Sequence, residues 1–148
     1  MIPRIKPLLA IALWLCAPLA LAQDKLGELL DAGARKLSAE EFRQELVQRV
    51  IVGPTMSGGT LEVLYANSGE IQGRGIAVAS TSFTPTPVSG EWRIGDTGKI
   101  CSSMQLGGTN TVILPSRCQS WFKLADQYFL SDSDSDRQAR VLRRTIKQ

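Results

Sequence analysis

The sequence predicts a mainly β fold with an N-terminal helix (α+β), built as an antiparallel β-meander or a small barrel-like domain with one disulfide. Three observations predict it. From Val50 onward, short alternating runs are separated by turn signals about every eight to twelve residues, which is typical of small antiparallel sheets and barrels. Long helical periodicity is confined to the residues before Val50. Two cysteines, Cys101 and Cys118, remain when the N-terminal segment is set aside.

Residues 1–22 predict a signal peptide that is cleaved before Gln23. Arg4 and Lys6 charge a short leading segment, an apolar run follows, and Ala20-Leu21-Ala22 supplies the small residues of a cleavage site. The apolar run, residues 8–22, has 15 residues, whereas a membrane-spanning helix needs about 20. We therefore expect a periplasmic or secreted protein with no transmembrane segment after cleavage.

Composition after cleavage excludes several classes of function. Removal of residues 1–22 lowers the number of basic residues from 17 to 15, against 14 acidic residues, and the net charge from +3 to +1. This balance does not indicate a nucleic-acid partner. The chain contains no histidine, which excludes Ser-His-Asp and Cys-His catalysis and the commonest metal sites. We expect no cofactor and no metal site, and we identify no catalytic residue.

The N-terminal elements are predicted to be helical. Residues 23–37 form a helical leader, with leucines at helical spacing. Ser38-Ala39-Glu40-Glu41 has the pattern of a capping box, so a helix is predicted over residues 38–49. Its apolar face is formed by Phe42, Leu46, Val47 and Val50.

Six to eight short strands are predicted after Val50, within a single β-rich domain of residues 38–130. Asn67-Ser68-Gly69 and Asp96-Thr97-Gly98 are predicted turns, and residues 81–90 and 105–110 are predicted loops. Asp96-Thr97-Gly98 is also the triplet of aspartic proteases. Gly95 and Lys99 stand where those enzymes have apolar and small residues, so a turn is the favoured interpretation.

Cys101 and Cys118 are predicted to form a disulfide, because an even pair in a small exported domain is most simply oxidised. It would join two neighbouring strands across residues 103–117. Trp92, Trp121 and Tyr65 are the candidate ligand-binding residues. The alternative is that these aromatic side chains fill the core of a small barrel.

Residues 131–148 form an acidic and then basic C-terminal segment. Asp132, Asp134 and Asp136 precede a basic cluster, which consists of Arg137, Arg140, Arg143, Arg144 and Lys147. The cluster predicts a weak association with an anionic membrane surface through Arg137, Arg140, Arg143 and Arg144. The alternative is a solvated helix or strand that the aspartates partly neutralise, and a strand is favoured for the last residues.

Residues 38–130 also carry motifs that are similar to those of a known family. Gly90-Glu91-Trp92-Arg93-Ile94 is followed by Gly98-Lys99-Ile100-Cys101 and then by Cys118 before a short aromatic strand. Upstream, Ser68-Gly69-Glu70-Ile71 follows a helix and a strand that ends in Tyr65. In these motifs the chain resembles a family of small bacterial periplasmic proteins, domain of unknown function 995. The resemblance implies export, a compact β-domain and a disulfide, and it brings no catalytic residues.

Together these observations predict an exported, non-enzymatic β-domain that binds an envelope protein or a small envelope ligand. One alternative is a carboxylate-dependent hydrolase of the cell envelope that uses residues such as Glu62, Glu70, Glu91 or Asp96. The other is an envelope protein that associates with anionic surfaces through its basic cluster. The sequence brings no two of the four carboxylates together.

Overall fold

The computed structural model describes residues 23–76, 85–107 and 111–148, and shows an antiparallel barrel closed by eight strands. The elements in chain order are α1 (Leu26–Asp31), β1 (Arg35–Lys36), α2 (Ala39–Glu45), β2 (Val50–Pro54), β3 (Thr60–Tyr65), β4 (Glu70–Ile76), β5 (Thr86–Ile94), β6 (Ile100–Leu106), β7 (Val112–Ile113), β8 (Arg117–Leu124), β9 (Gln127–Ser131) and β10 (Val141–Ile146). The predicted mainly β fold is confirmed. The predicted signal peptide, residues 1–22, lies outside the described residues.

The barrel closes where β6 pairs with β8. Around the barrel the order is β8-β9-β10-β2-β3-β4-β5-β6, and β6 then meets β8 again. This last seam has three residue pairs, and its central pair is Cys101 opposite Cys118. Their disulfide is present, as predicted. It therefore closes the barrel covalently, whereas the two-residue strands β1 and β7 pair only with the ends of β8 and β6.

The capping box begins α2 as predicted, but the helix ends early. The Ser38 hydroxyl accepts from the Glu41 amide, and the Glu41 carboxylate accepts from the Ser38 amide. The predicted helix over residues 38–49 is too long, because α2 ends at Glu45. Gln48 adopts a left-handed conformation (φ 65°) and donates its amide to the Tyr65 carbonyl. This turn redirects the chain into β2, so Val50 belongs to a strand.

The predicted loop at residues 81–90 is wrong for its last part, because β5 begins at Thr86. Pro87 lies in the ladder opposite Arg74, and its carbonyl accepts the Gly107 amide. Gly90 permits the close approach of β6, since a Cβ there would clash with the Ser103 carbonyl oxygen. Because β5 pairs with β4 on one side and with β6 on the other, it forms a strand despite the prolines and glycine that favour a loop. In the predicted loop 105–110, residues 105 and 106 likewise belong to β6, and residues 77–84 and 108–110 lie outside the described part of the chain.

Both chain ends of the described structure belong to the fold. Strand β10 lies between β9 and β2, so the barrel extends beyond the predicted domain boundary at residue 130. In the predicted helical leader, α1 places Leu26 and Leu29 on the outer face of the barrel, where they pack with Phe122, Phe129 and Val141. None of the helices within the described ranges has the length and apolarity needed to cross a membrane.

The position of the disulfide predicts a large loss of stability when it is removed. The two cysteines are 17 residues apart, and cross-linking a loop of this length contributes about 3 kcal/mol in the chain-entropy account. We expect the Cys101→Ser/Cys118→Ser variant to have a free energy of unfolding lower by about 3 kcal/mol, measured by urea unfolding. A reducing agent should lower the stability of the wild type by a similar amount and leave the variant unchanged. Equal stability of the two proteins would contradict the prediction.

Candidate functional site

One end of the barrel is filled by α2 and by aromatic side chains. The Phe42 ring lies 5.5 Å from the Tyr65 ring, 5.5 Å from the Trp92 ring and 5.3 Å from the Trp121 ring, between centroids. Tyr65 and Trp121 are buried, and the half-buried Trp92 donates its Nε1–H to the Ala66 carbonyl at 2.8 Å. The structure thus brings the three candidate ligand-binding residues together, but packs them around Phe42.

A charged network fastens α2 to the barrel at the same end. The Glu45 carboxylate accepts hydrogen bonds from Lys123 Nζ at 2.6 Å and from the Tyr128 hydroxyl at 2.7 Å. The hydrogen bond from Lys123 lowers the pKa of Glu45, with Tyr128 adding to this effect and partial burial opposing it. The same contact raises the pKa of Lys123. The network connects α2 with β8 and β9.

A cavity of about 280 Å³ opens at the other end of the barrel. It lies where β2, β6 and β9 end and where β3, β8 and β10 begin. Its apolar wall is formed by Leu61, Met104, Leu106, Leu114, Leu130 and Leu142. All but Leu114 belong to strands and face inward because alternate side chains of a strand point to opposite faces. These five are part of the barrel core or pack against it.

Arg144 is the charged residue of the cavity that lies within the barrel. Strand β10 turns Leu142, Arg144 and Ile146 inward and Arg143 and Thr145 outward. Arg144 is only 6% exposed, and it lines the cavity. Its Nη1 donates to the Pro54 carbonyl at 2.7 Å and to the Arg143 carbonyl at 3.0 Å. The sequence pattern predicts this arginine on the surface, whereas the structure buries it.

Burial shifts the pKa values of both Arg144 and Tyr65. Burial lowers the pKa of Arg144 to about 10, an effect that Tyr65 partly opposes. The guanidinium is therefore still charged at neutral pH. Burial raises the pKa of Tyr65 to about 12, and the charge of Arg144 acts in the opposite direction. Tyr65 is therefore a neutral phenol at neutral pH.

Polar side chains surround the cavity at its rim. Arg117 and Gln119 both line it, and both donate to the Asp132 carboxylate, at 3.1 Å and 2.8 Å. Thr55 and Ser57 line the rim from the β2–β3 turn, and their hydroxyls are 3.0 Å apart. The charge of Arg117 is thus paired with Asp132, in contrast to that of Arg144.

The four candidate carboxylates lie outside the barrel. Glu70 and Glu91 are directly opposite each other in the β4–β5 register, and both line polar clefts of about 360 and 400 Å³ on the outer face. Both side chains are exposed, whereas catalytic carboxylate pairs depend on different degrees of burial to act as acid and base. Glu62 forms ion pairs with Arg74 and Lys147, and Asp96 lies in an exposed turn.

The basic cluster does not form one surface. Arg137 donates to both carboxylate oxygens of Asp31, and Arg144 points into the barrel. Arg140 and Arg143 are exposed. The predicted association with an anionic surface then depends chiefly on Arg140 and Arg143. Arg144 is not available to such a surface, because strand alternation turns it into the interior of the barrel.

The acidic residues of the tail are engaged in local contacts. Asp132 pairs with Arg117, and Asp134 pairs with Lys36 at 2.6 Å. Asp136 accepts the amide of Gln138. Across the ranges that the structure describes, no three His, Cys, Asp or Glu side chains are grouped as a metal site would require.

The cavity and its arginine were missed by the sequence analysis. A signal was present: the stretch Val141-Leu142-Arg143-Arg144-Thr145-Ile146 reads as a strand with one arginine on each face. Since both faces also carry apolar residues, the pattern alone does not say which arginine is buried.

Comparison with known proteins assigns neither a family nor a function to the chain. No protein-family model matches the chain, and neither a curated protein nor a solved structure matches it. The resemblance to the periplasmic family of unknown function stays a prediction. A function for this chain therefore has to be inferred from its own fold and cavity.

The Glu45 network predicts a pH-dependent contribution to stability. A depressed pKa in the folded state means that the contribution is present above the ordinary value of 4.5 and is lost as the pH falls through the folded-state pKa. We expect Glu45→Gln to lower the free energy of unfolding by about 1 kcal/mol at neutral pH, measured by urea unfolding. The difference in free energy of unfolding between Glu45→Gln and the wild type should become smaller in acid.

Glu40→Gln is the matched control, because Glu40 lies on the same helix but is exposed, with Arg43 3.8 Å away. Exposed ion pairs contribute little to stability. The free energy of unfolding of Glu40→Gln should therefore differ little from that of the wild type at every pH. A Glu45→Gln difference that does not change with pH would contradict the prediction.

Proposed function

We propose that this protein is a non-enzymatic binding protein that holds a small ligand with an apolar body in the open end of its barrel. The observation that carries the proposal is the cavity of about 280 Å³ whose wall is built from inward-facing Leu and Met side chains. Small barrels commonly hold ligands in this position, at the mouth or in the interior. The predicted export signal makes a ligand of the cell envelope the natural candidate.

The volume of the cavity limits the size of the ligand. A water molecule occupies about 30 Å³ in the liquid, so a volume of about 280 Å³ accommodates about ten non-hydrogen atoms. Because the cavity opens to solvent, a longer ligand could extend beyond the rim. The buried part corresponds in size to an eight-carbon chain with a polar head.

The groups around the cavity favour binding over catalysis. Its described lining contains hydroxyl, amide and guanidinium groups but no carboxylate. General acid–base chemistry usually requires a group whose pKa lies near the working pH. The lining offers instead an apolar wall and hydrogen-bond donors, which are the components of a recognition site.

The two methionines after residue 1, Met56 and Met104, both line the cavity and give a direct test. We expect the neutral ligand octan-1-ol to shift the methyl resonances of both residues in a protein labelled at its methionine methyl groups. The indole N–H resonances of Trp92 and Trp121, at the filled end, should stay unchanged. Indole shifts without methyl shifts, or no shifts at all near the solubility limit of the alcohol, would contradict the proposal.

A cavity-filling variant gives the second half of the test. We expect Leu106→Trp to weaken binding of octan-1-ol about tenfold or more, because the indole would occupy the space of the ligand. Ile113→Trp is the matched control, since Ile113 is 79% exposed on β7 and does not line the cavity. Equal affinities of these two variants would place the alcohol elsewhere.

A further inference from the structure

Arg144 is a buried cation without a counterion in the described part of the chain. None of the ion pairs formed there includes it. Its two hydrogen bonds, to Pro54 and Arg143, both use Nη1 and both go to neutral carbonyl groups. Arginine has five N–H donors, so Nη2 and Nε have no partner among the described residues.

The free donors of Arg144 border the cavity. Within the described ranges, Ser120 Oγ is the one fully buried side-chain polar atom without a partner. The free guanidinium nitrogens are therefore not enclosed in the core, and the residue lines the cavity. A ligand that enters past Leu106 and Leu142 would reach them directly.

The path of the arginine side chain depends on a glycine of the neighbouring strand. A Cβ at Gly53 would lie 2.6 Å from Arg144 Nη1 and 2.8 Å from its Cδ. The side chain therefore crosses β2 at the one place where that strand has no side chain to obstruct it. A cation is thus held against the barrel wall with its unpaired edge toward the cavity.

An unpaired buried charge is costly, since removal from water is compensated only by a counterion or by a full set of hydrogen bonds. Arg144 has neither among the described residues. An anionic head group in the cavity would supply both, and the planar guanidinium matches the two oxygens of a carboxylate. With one unpaired cation, a single negative charge gives neutrality.

We propose that the ligand is a monocarboxylate with a compact or unbranched apolar body, whose carboxylate accepts hydrogen bonds from Arg144. This inference rests on the proposed function and names the chemistry of the same site. The apolar body lies against Leu61, Leu130 and Leu142, which line the same cavity.

The test compares four eight-carbon ligands that differ only in the head group: octanoate, octan-1-ol, octylammonium and octyl phosphate. Binding is measured by calorimetry and by the methyl resonances of Met56 and Met104. We expect the wild type to bind octanoate about ten- to a hundredfold more tightly than the alcohol, the range for a hydrogen bond to a charged group. Octylammonium should bind most weakly, and octyl phosphate should bind less tightly than octanoate.

Two arginine variants at adjacent positions of β10 test which arginine causes the preference for octanoate over octan-1-ol. Arg144→Met should remove the preference for octanoate over the alcohol and should leave binding of the alcohol intact. Arg143→Met removes the same charge from the exposed outer face and should retain the preference. Circular dichroism verifies that both variants are folded. The Arg144 Nε–H resonance of the wild type gives a readout without mutation: octanoate should shift it and the alcohol should not.

The outcomes separate this inference from the proposed function. If the alcohol and octanoate bind the wild type equally, or if the preference survives in Arg144→Met, the carboxylate assignment is wrong and the apolar site stands. Tighter binding of octyl phosphate than of octanoate would also overturn the assignment to a monocarboxylate. If none of the four ligands shifts the methionine methyl groups, the proposed function itself fails.

Discussion

Closure of the barrel between β6 and β8 is the constraint on which the rest of the structure depends. Only three residue pairs form this seam, and the disulfide joins the central pair. Without closure, the strands would form an open sheet with two exposed edges, which proteins generally avoid. A closed barrel has two ends. One is filled by Phe42 and its aromatic neighbours, and the other remains open as a cavity.

The two ends of the barrel therefore have different roles. At the filled end, ring packing and the Glu45 network bind α2 to the strands, so this end contributes stability. At the open end, a largely apolar wall surrounds a charged group that has no counterion in the described chain. Natural proteins tolerate a buried charge without a counterion mainly where function requires it. The contrast between an end whose polar groups are paired and an end with an unpaired charge is the physical reason for the proposed position of the binding site at the open end.

Local chemistry was enough to predict much of the fold. The capping box at Ser38, the glycine turns at Gly69 and Gly98 (φ 91° and 75°) and the disulfide are each determined by a few neighbouring residues. The errors arise where tertiary pairing overrides local preference, as at Pro87 in β5. The cavity and its buried arginine could not be predicted in the same way. Its residues come from strands that are distant in sequence, and Arg144 is buried only because β10 lies between β9 and β2.

The position of β10 has a consequence for the order of assembly. The seam between β6 and β8 joins residues 17 apart in the chain, whereas the seam between β10 and β2 joins Ile146 to Ile51. Closing a short loop costs less entropy than closing a long one, so the covalent seam is suited to form early and the β10–β2 seam late. Arg144 loses its water only at that late step. An intermediate that lacks β10 would therefore have neither a closed barrel nor a buried arginine in its cavity, and both arise together with the final strand.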